Sequence, residues 1–125
     1  MMGATIELAP EPASVRSART FCAERLAAWG AAPELVETAA LLVSELVTNV
    51  VLHAGTPLVV SVRRGGRLRV EVEDRDPRPP VTKGGDVRAA SGRGLLLIEA
   101  MSEGFGTEVR PSGKLVWFEL AWQGA

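Results

Sequence analysis

The sequence predicts an α+β fold: a two-layer α/β sandwich with a mixed, mostly antiparallel sheet and helices on one face. Three observations carry this expectation. Two segments with helical apolar stripes lie next to each other early in the chain. Two alternating runs, "LVVSVRR" (58–64) and "RLRVEVED" (67–74), flank Gly65-Gly66, which reads as a two-residue hairpin. A run rich in β-branched and aromatic residues, "KLVWFELAW" (114–122), supplies a further strand. Helices that sit together and strands that pair as hairpins segregate into two layers.

The elements follow in order. "TIELAP" (5–10) reads as a short strand ending at Pro10. Ser14 is placed to cap a helix over 15–29, whose apolar side is Val15, Ala18, Phe21, Cys22, Leu26 and Trp29. Gly30 closes it. Pro33 and Glu34 suit a second helix start, because proline lacks an amide that would be orphaned there. That helix runs to about His53, where Gly55 and Pro57 end it. After the hairpin, "DPRPPVTKGGDVRAASGRG" (76–94) has no periodicity and reads as a long loop, the kind that often serves as a lid or binding loop. "LLLIEAMS" (95–102) reads as a short helix. The order is β-α-α-β-β-loop-α-β-β, without an internal repeat or a domain boundary.

Bulk properties narrow the function. A chain of 125 residues fits one domain, 1–125, and buries a core without staples. Hydrophobic residues at 46% and charged residues at 23% are a globular balance rather than a disordered one. The net charge of −1 argues against direct nucleic-acid binding, which needs an electropositive face. Cys22 is the only cysteine, so no internal disulfide forms, and with His53 alone it builds no zinc site. It reads as a small buried hydrophobe. "MMGATIELAPEP" has no basic stretch followed by an apolar one, and no apolar run reads as membrane-spanning. The expected location is the cytoplasm. Abundant Ala and a preference for Arg over Lys point to a GC-rich bacterial genome.

The second helix carries the most informative stretch, "ELVTNVVLHAG" (45–55). Glu45, Asn49 and His53 recur every four residues and share one face, while Leu41, Leu42, Leu46, Val50 and Val51 cover the others. Two readings stand: a partly solvated helix edge, or a site in which Asn49 offers oxygen to a hard cation and Glu45 orients a nucleophile. His53 reads as a helix-end hydrogen-bonding group rather than a metal ligand.

Other motifs are weaker. "SGRGLLL" (91–97) is neither a P-loop nor a dinucleotide fingerprint, since Gly113-Lys114 is followed by Leu115 and Gly92-Arg93-Gly94 by Leu95. What remains is a Gly-x-Gly turn opening a helix, either a flexible turn or an anion site. Asp74 ends a strand where a ligand-reading carboxylate is common. Asp76 stands two residues on, so the pair is either loop solvation or an acidic site. The sequence argues against a Ser/His/Asp hydrolase, because the only His lies on the helix and no Gly-x-Ser-x-Gly turn exists. Trp29, Trp117 and Trp122 read as core or interface.

Three pieces occur in one order: "ELVTNVVLHAG", "VEVEDRDPRPP" and "SGRGLLLIEAMSEGFG". The combination resembles the GHKL ATPase superfamily, with its Bergerat ATP-binding fold. More closely, it is similar to the small anti-sigma-factor serine kinases. The resemblance runs from the first helix to "GKLVWFEL". It implies that Glu45 is the general base or nucleophile-orienting residue, that Asn49 binds Mg²⁺ bridging the ATP phosphates, and that Asp74 accepts a hydrogen bond from the adenine amino group. It further implies that Gly92, Arg93, Gly94 and Leu95 close over the phosphates, with 77–91 as a lid. The implied cofactors are ATP and Mg²⁺. The implied partners are an anti-anti-sigma protein, phosphorylated on serine or threonine, and a sigma factor; relatives dimerise.

Two departures stand out. The superfamily carries glycines after the adenine Asp, where this chain has Arg75-Asp76-Pro77-Arg78. Many members have Thr where this chain has Leu115, which removes a water-mediated contact near adenine. Three functions compete: a partner-switching serine kinase, a non-catalytic nucleotide-binding or sequestering module, and a histidine-kinase catalytic domain acting in trans. The last lacks a helix bearing a phosphoacceptor His.

Overall fold

The computed structural model describes residues 2–78 and 90–125, with the side chains of 90–94 outside the description. The elements are β1 (Met2–Leu8), α1 (Ala13–Ala28), α2 (Pro33–Asn49), a π-helical turn (Val50–Ala54), β2 (Leu58–Arg64), β3 (Arg67–Asp74), α3 (Ala90–Met101), β4 (Gly104–Arg110) and β5 (Gly113–Ala121). The order agrees with the sequence reading. The sheet runs β1-β2-β3-β5-β4, and all four pairings are antiparallel. No parallel pair occurs among the described residues, so the expected mixed sheet is purely antiparallel there.

Strand periodicity divides the sheet into two faces. Leu58, Val60 and Val62 of β2, Leu68, Val70 and Val72 of β3, and Val116, Phe118 and Leu120 of β5 are buried on the helix side. They meet Ala18, Cys22 and Leu26 of α1, Leu42, Val43, Leu46 and Val47 of α2, and Ile98 of α3 in one core. Helix α2 packs against both α1 and α3 and lies over β3. Each fully buried Leu, Val or Phe stabilises the fold by about 1.5–3 kcal/mol. The opposite face is polar: Arg69 pairs with Glu71 at 2.7 Å and with Glu119 at 2.9 Å, and Arg110 with Glu73 at 3.1 Å. Trp117 is on this face, stacked under the Arg69 guanidinium at 4.1 Å.

Four local expectations are corrected. Ser14 lies inside α1, not at its cap; it is buried, and its hydroxyl donates to the Ala9 carbonyl at 2.6 Å, tying β1's exit to the helix. The hairpin is not a two-residue turn: Arg64 pairs with Leu68, an odd register, and neither Gly65 nor Gly66 has positive φ. Helix α3 starts at Ala90, so Gly92 and Gly94 are helical rather than a turn before it. Residues 33–54 form a helix long and apolar enough to cross a membrane. Its buried residues belong to the core shared with α1 and the sheet.

Candidate functional site

Helix α2 does not stop at Asn49 but widens into the π turn, which Gly55 ends with φ of 64° and an amide bonded to the Val50 carbonyl at 2.8 Å. Such turns recur at functional sites. Here the turn walls a cavity of about 160 Å³. Leu46, Asn49, Val50 and His53 form one wall, a stripe at i, i+3, i+4 and i+7. Val72, Asp74, Asp76 and Arg78 come from β3 and its exit, and Lys114 and Val116 from β5. Four aliphatic side chains therefore face a polar floor.

The sequence-predicted residues divide here. Asn49 is buried in the wall, and His53 is exposed at its rim. Leu46 and Val50, read from sequence as covering other helix faces than Asn49, line the cavity as well. Glu45 lies one turn before Asn49, half-buried, and is not among the lining residues. Leu95 packs against the core from α3. Gly92, Arg93 and Gly94 are in the first turns of α3, and the expected lid falls mostly on 79–89, outside the described residues.

Asp74 closes the floor. Its carboxylate is fixed by the Asp76 amide, which donates to Oδ1 at 2.8 Å. Its backbone is fixed by Gly113 of β5: a Cβ there would lie 2.0 Å from the Asp74 carbonyl oxygen. Beside it stands a residue that sequence reasoning missed. Lys114 pairs directly with Asp74 across the strands, and its Nζ lies 3.2 Å from Oδ1 and 3.0 Å from Oδ2. The same Nζ donates to the Asp76 carbonyl at 3.1 Å. The approach to Oδ2 is off the direction a hydrogen bond needs. That oxygen is thus charge-paired but accepts no hydrogen bond among the described residues.

The departure at Leu115 changes meaning as a result. Leu115 is opposite Glu73 on the other sheet face, away from Asp74. Strand alternation held this information. Val116, Phe118 and Leu120 point inward, so 114 does too and 115 does not.

Asp76 is buried and structural rather than solvated loop. Arg78 grips it, with Nε 3.0 Å from Oδ1 and 2.9 Å from Oδ2, and its Nη2 also donates to the His53 carbonyl at 3.2 Å. These hydrogen bonds, with one from the Arg78 amide, hold the Asp76 carboxyl far below the usual carboxylate range. The clamp ties the exit of β3 to the π turn. No local pattern announces Arg78, because its second partner is 25 residues away.

A purine is flat and apolar, with a polar edge. An aliphatic slot ending in a fixed carboxylate with one unfilled acceptor fits such a base. The family model for the histidine kinase-like ATPase domain matches residues 8–120. The chain belongs to this ATPase family. No curated protein matches it. Among solved structures, the chain is similar to the RsbU and RsbW domains of Rv1364c from Mycobacterium tuberculosis, with a TM-score of 0.76 and 21% identity. The likeness covers 98% of this chain and 33% of that one, so this chain spans about a third of its neighbour's length. At that identity the likeness carries the fold: in this histidine kinase-like ATPase, an antiparallel sheet under three helices, of the α+β class expected from sequence.

Proposed function

We propose that the chain is an ATP-binding serine/threonine protein kinase that phosphorylates an anti-anti-sigma partner and regulates a sigma factor by partner switching. One observation carries the nucleotide part. The aliphatic slot is lined by Asp74, whose buried Oδ2 accepts no hydrogen bond among the described residues. An adenine amino group is a donor that would satisfy this acceptor, whose unmade hydrogen bond is otherwise costly. Asn49, buried in the wall, would offer its side-chain oxygen to Mg²⁺, which supplies charge neutralisation on the phosphates. Glu45, one turn away, takes the proton from the acceptor hydroxyl as that oxygen forms a bond to the γ-phosphorus and the bond to ADP breaks. Backbone amides at the start of α3, those of Gly92, Arg93 and Gly94 among them, would hold the phosphates. Phosphoryl transfer needs mainly positioning and charge neutralisation, so this small set suffices.

The partner-switching half is supported by the resemblance of the three ordered motifs and by a structural neighbour named for its RsbW domain. On this reading the chain works in the cytoplasm, without direct contact to nucleic acid or membrane, and a homodimer is the assembly to test for. A second reading is a non-catalytic module that sequesters its partner, favoured by Glu45's position outside the cavity lining.

Calorimetric titration of ATP with Mg²⁺ into the wild type, Asn49→Ala and Asp74→Ala tests the nucleotide site. The expected result is binding that needs both residues. A well-folded wild type that binds no ATP sinks the kinase reading. Binding without phosphate transfer to any serine-bearing partner leaves the sequestering module.

A further inference from the structure

Lys114 has no task in the scheme above, yet it is the cation at the base of the cavity. Its side chain is 7% exposed, and that of Asp74 is 1% exposed. A buried ammonium is costly unless its protons find acceptors. It has three to place. Asp74 Oδ1 at 3.2 Å and the Asp76 carbonyl at 3.1 Å take two directions. Oδ2 is nearest, at 3.0 Å, but off the direction a hydrogen bond needs, so among the described residues the third proton finds no acceptor, and Lys114 lines the cavity. On the carboxylate, Oδ1 accepts from the Asp76 amide and Lys114, while Oδ2 is charge-paired but accepts no hydrogen bond among the described residues. Among the described residues, the two side chains at the floor therefore keep one acceptor and one donor without a hydrogen bond, side by side.

We infer that Lys114 is a base-specificity residue, reading the ring nitrogen N1 of adenine while Asp74 Oδ2 reads the neighbouring amino group. The inference rests on the nucleotide reading above. Adenine's edge is donor then acceptor, the complement of this floor. Guanine and hypoxanthine carry a carbonyl and an N–H at the same two positions. In the same pose they set acceptor against acceptor and donor against donor. A site whose buried polar groups are left unpaired rejects the mismatched ligand strongly. The aliphatic walls, Leu46, Val50, Val72 and Val116, hold the ring plane but carry no information about that edge.

Binding of ATP and of 1-deaza-ATP, in which C–H replaces N1, is measured by calorimetry on the wild type and on Lys114→Met. The wild type should bind 1-deaza-ATP about tenfold or more weakly than ATP, the scale of a hydrogen bond to a charged donor. Lys114→Met should bind the two within about twofold of each other, as expected once that donor is gone. Equal affinities in the wild type overturn the inference and leave the nucleotide reading standing. That comparison needs no variant, so it decides even where Lys114→Met folds poorly. A preference for ATP that persists unchanged in a folded Lys114→Met also overturns it. A folded wild type that binds neither compound overturns the nucleotide reading and this inference together.

Discussion

Gly113 stands so close to Asp74 that a Cβ on it would lie 2.0 Å from the Asp74 carbonyl oxygen and 3.0 Å from the Arg75 Cα. Both obstacles are backbone, so neither can swing aside. The start of β5 thus presses on the residue that closes the cavity floor, and strand pairing, not a local motif, sets where the carboxylate sits.

Gly113→Ala should therefore separate β5 from the exit of β3. The expected cost is at least about 2 kcal/mol, at the upper part of the overpacking range. Urea unfolding reads the stability loss, and ATP titration should weaken in parallel. A variant as stable as the wild type would mean that the two backbones part without strain.

The pair Asp74–Lys114 should behave as a unit. Lys114→Met alone leaves a buried carboxylate without its cation, and Asp74→Asn alone leaves a buried ammonium; removing one partner of such a pair costs about 3–5 kcal/mol. The double variant replaces both charges and should cost clearly less than the two singles together. Chemical denaturation of all four proteins closes the cycle. Additive losses would show that the two groups, 3.0 Å apart, do not interact energetically.

The three ordered motifs, the element order and the positions of Asn49 and Asp74 were legible because each is local: helical spacing, strand alternation, a hairpin. Lys114 was not recognised, although alternation from Val116, Phe118 and Leu120 points it inward, because its partner lies 40 residues away and only the β3–β5 register joins them. Helix α3 reaches back to Ala90 through two glycines, which disfavour helix, so propensity hid its true start. Ser14 has cap chemistry but spends it on the Ala9 carbonyl, a tertiary contact. The π turn has no sequence signal at all.

Asp76 and Arg78 predict a particular acid profile. The Asp76 carboxyl is depressed below its ordinary value of 3.8 by Arg78 hydrogen bonds. Its stabilising contribution is then fully present above about pH 4–5 and is lost as pH falls further, toward the folded-state value. Arg78→Met removes the clamp. The gap in Tm between wild type and this variant should be constant from pH 7 to 5 and narrow below pH 4. A gap that holds to the lowest accessible pH would assign Arg78's effect to its contact with the His53 carbonyl.

Cys22 is buried in α1, and burial pushes its thiol up from 9.0 to about 12. The thiolate is the reactive form, so the native thiol should resist an aromatic disulfide reagent at pH 8 and react fully in denaturant. The sign for stability follows. The contribution is fully present below pH 9 and is lost as pH rises toward 12, because the unfolded chain releases the proton first. Rapid labelling of the native protein would show the α1–sheet core opening locally.

Glu45 gives the sharpest test of catalysis. It is half-buried one turn before Asn49 and does not line the cavity, so its loss removes no contact from the base slot. Glu45→Ala should leave ATP affinity within about threefold of wild type, since uniform binding is untouched. Phosphate transfer to a serine-bearing partner should fall by about 10²-fold or more, the usual contribution of a general base. The two readouts must be taken on the same preparation, one by calorimetry and one by labelled phosphate. Loss of both would place Glu45 in nucleotide binding. Transfer that survives would remove it from the mechanism and leave positioning by Asn49 and the α3 amides as the source of rate.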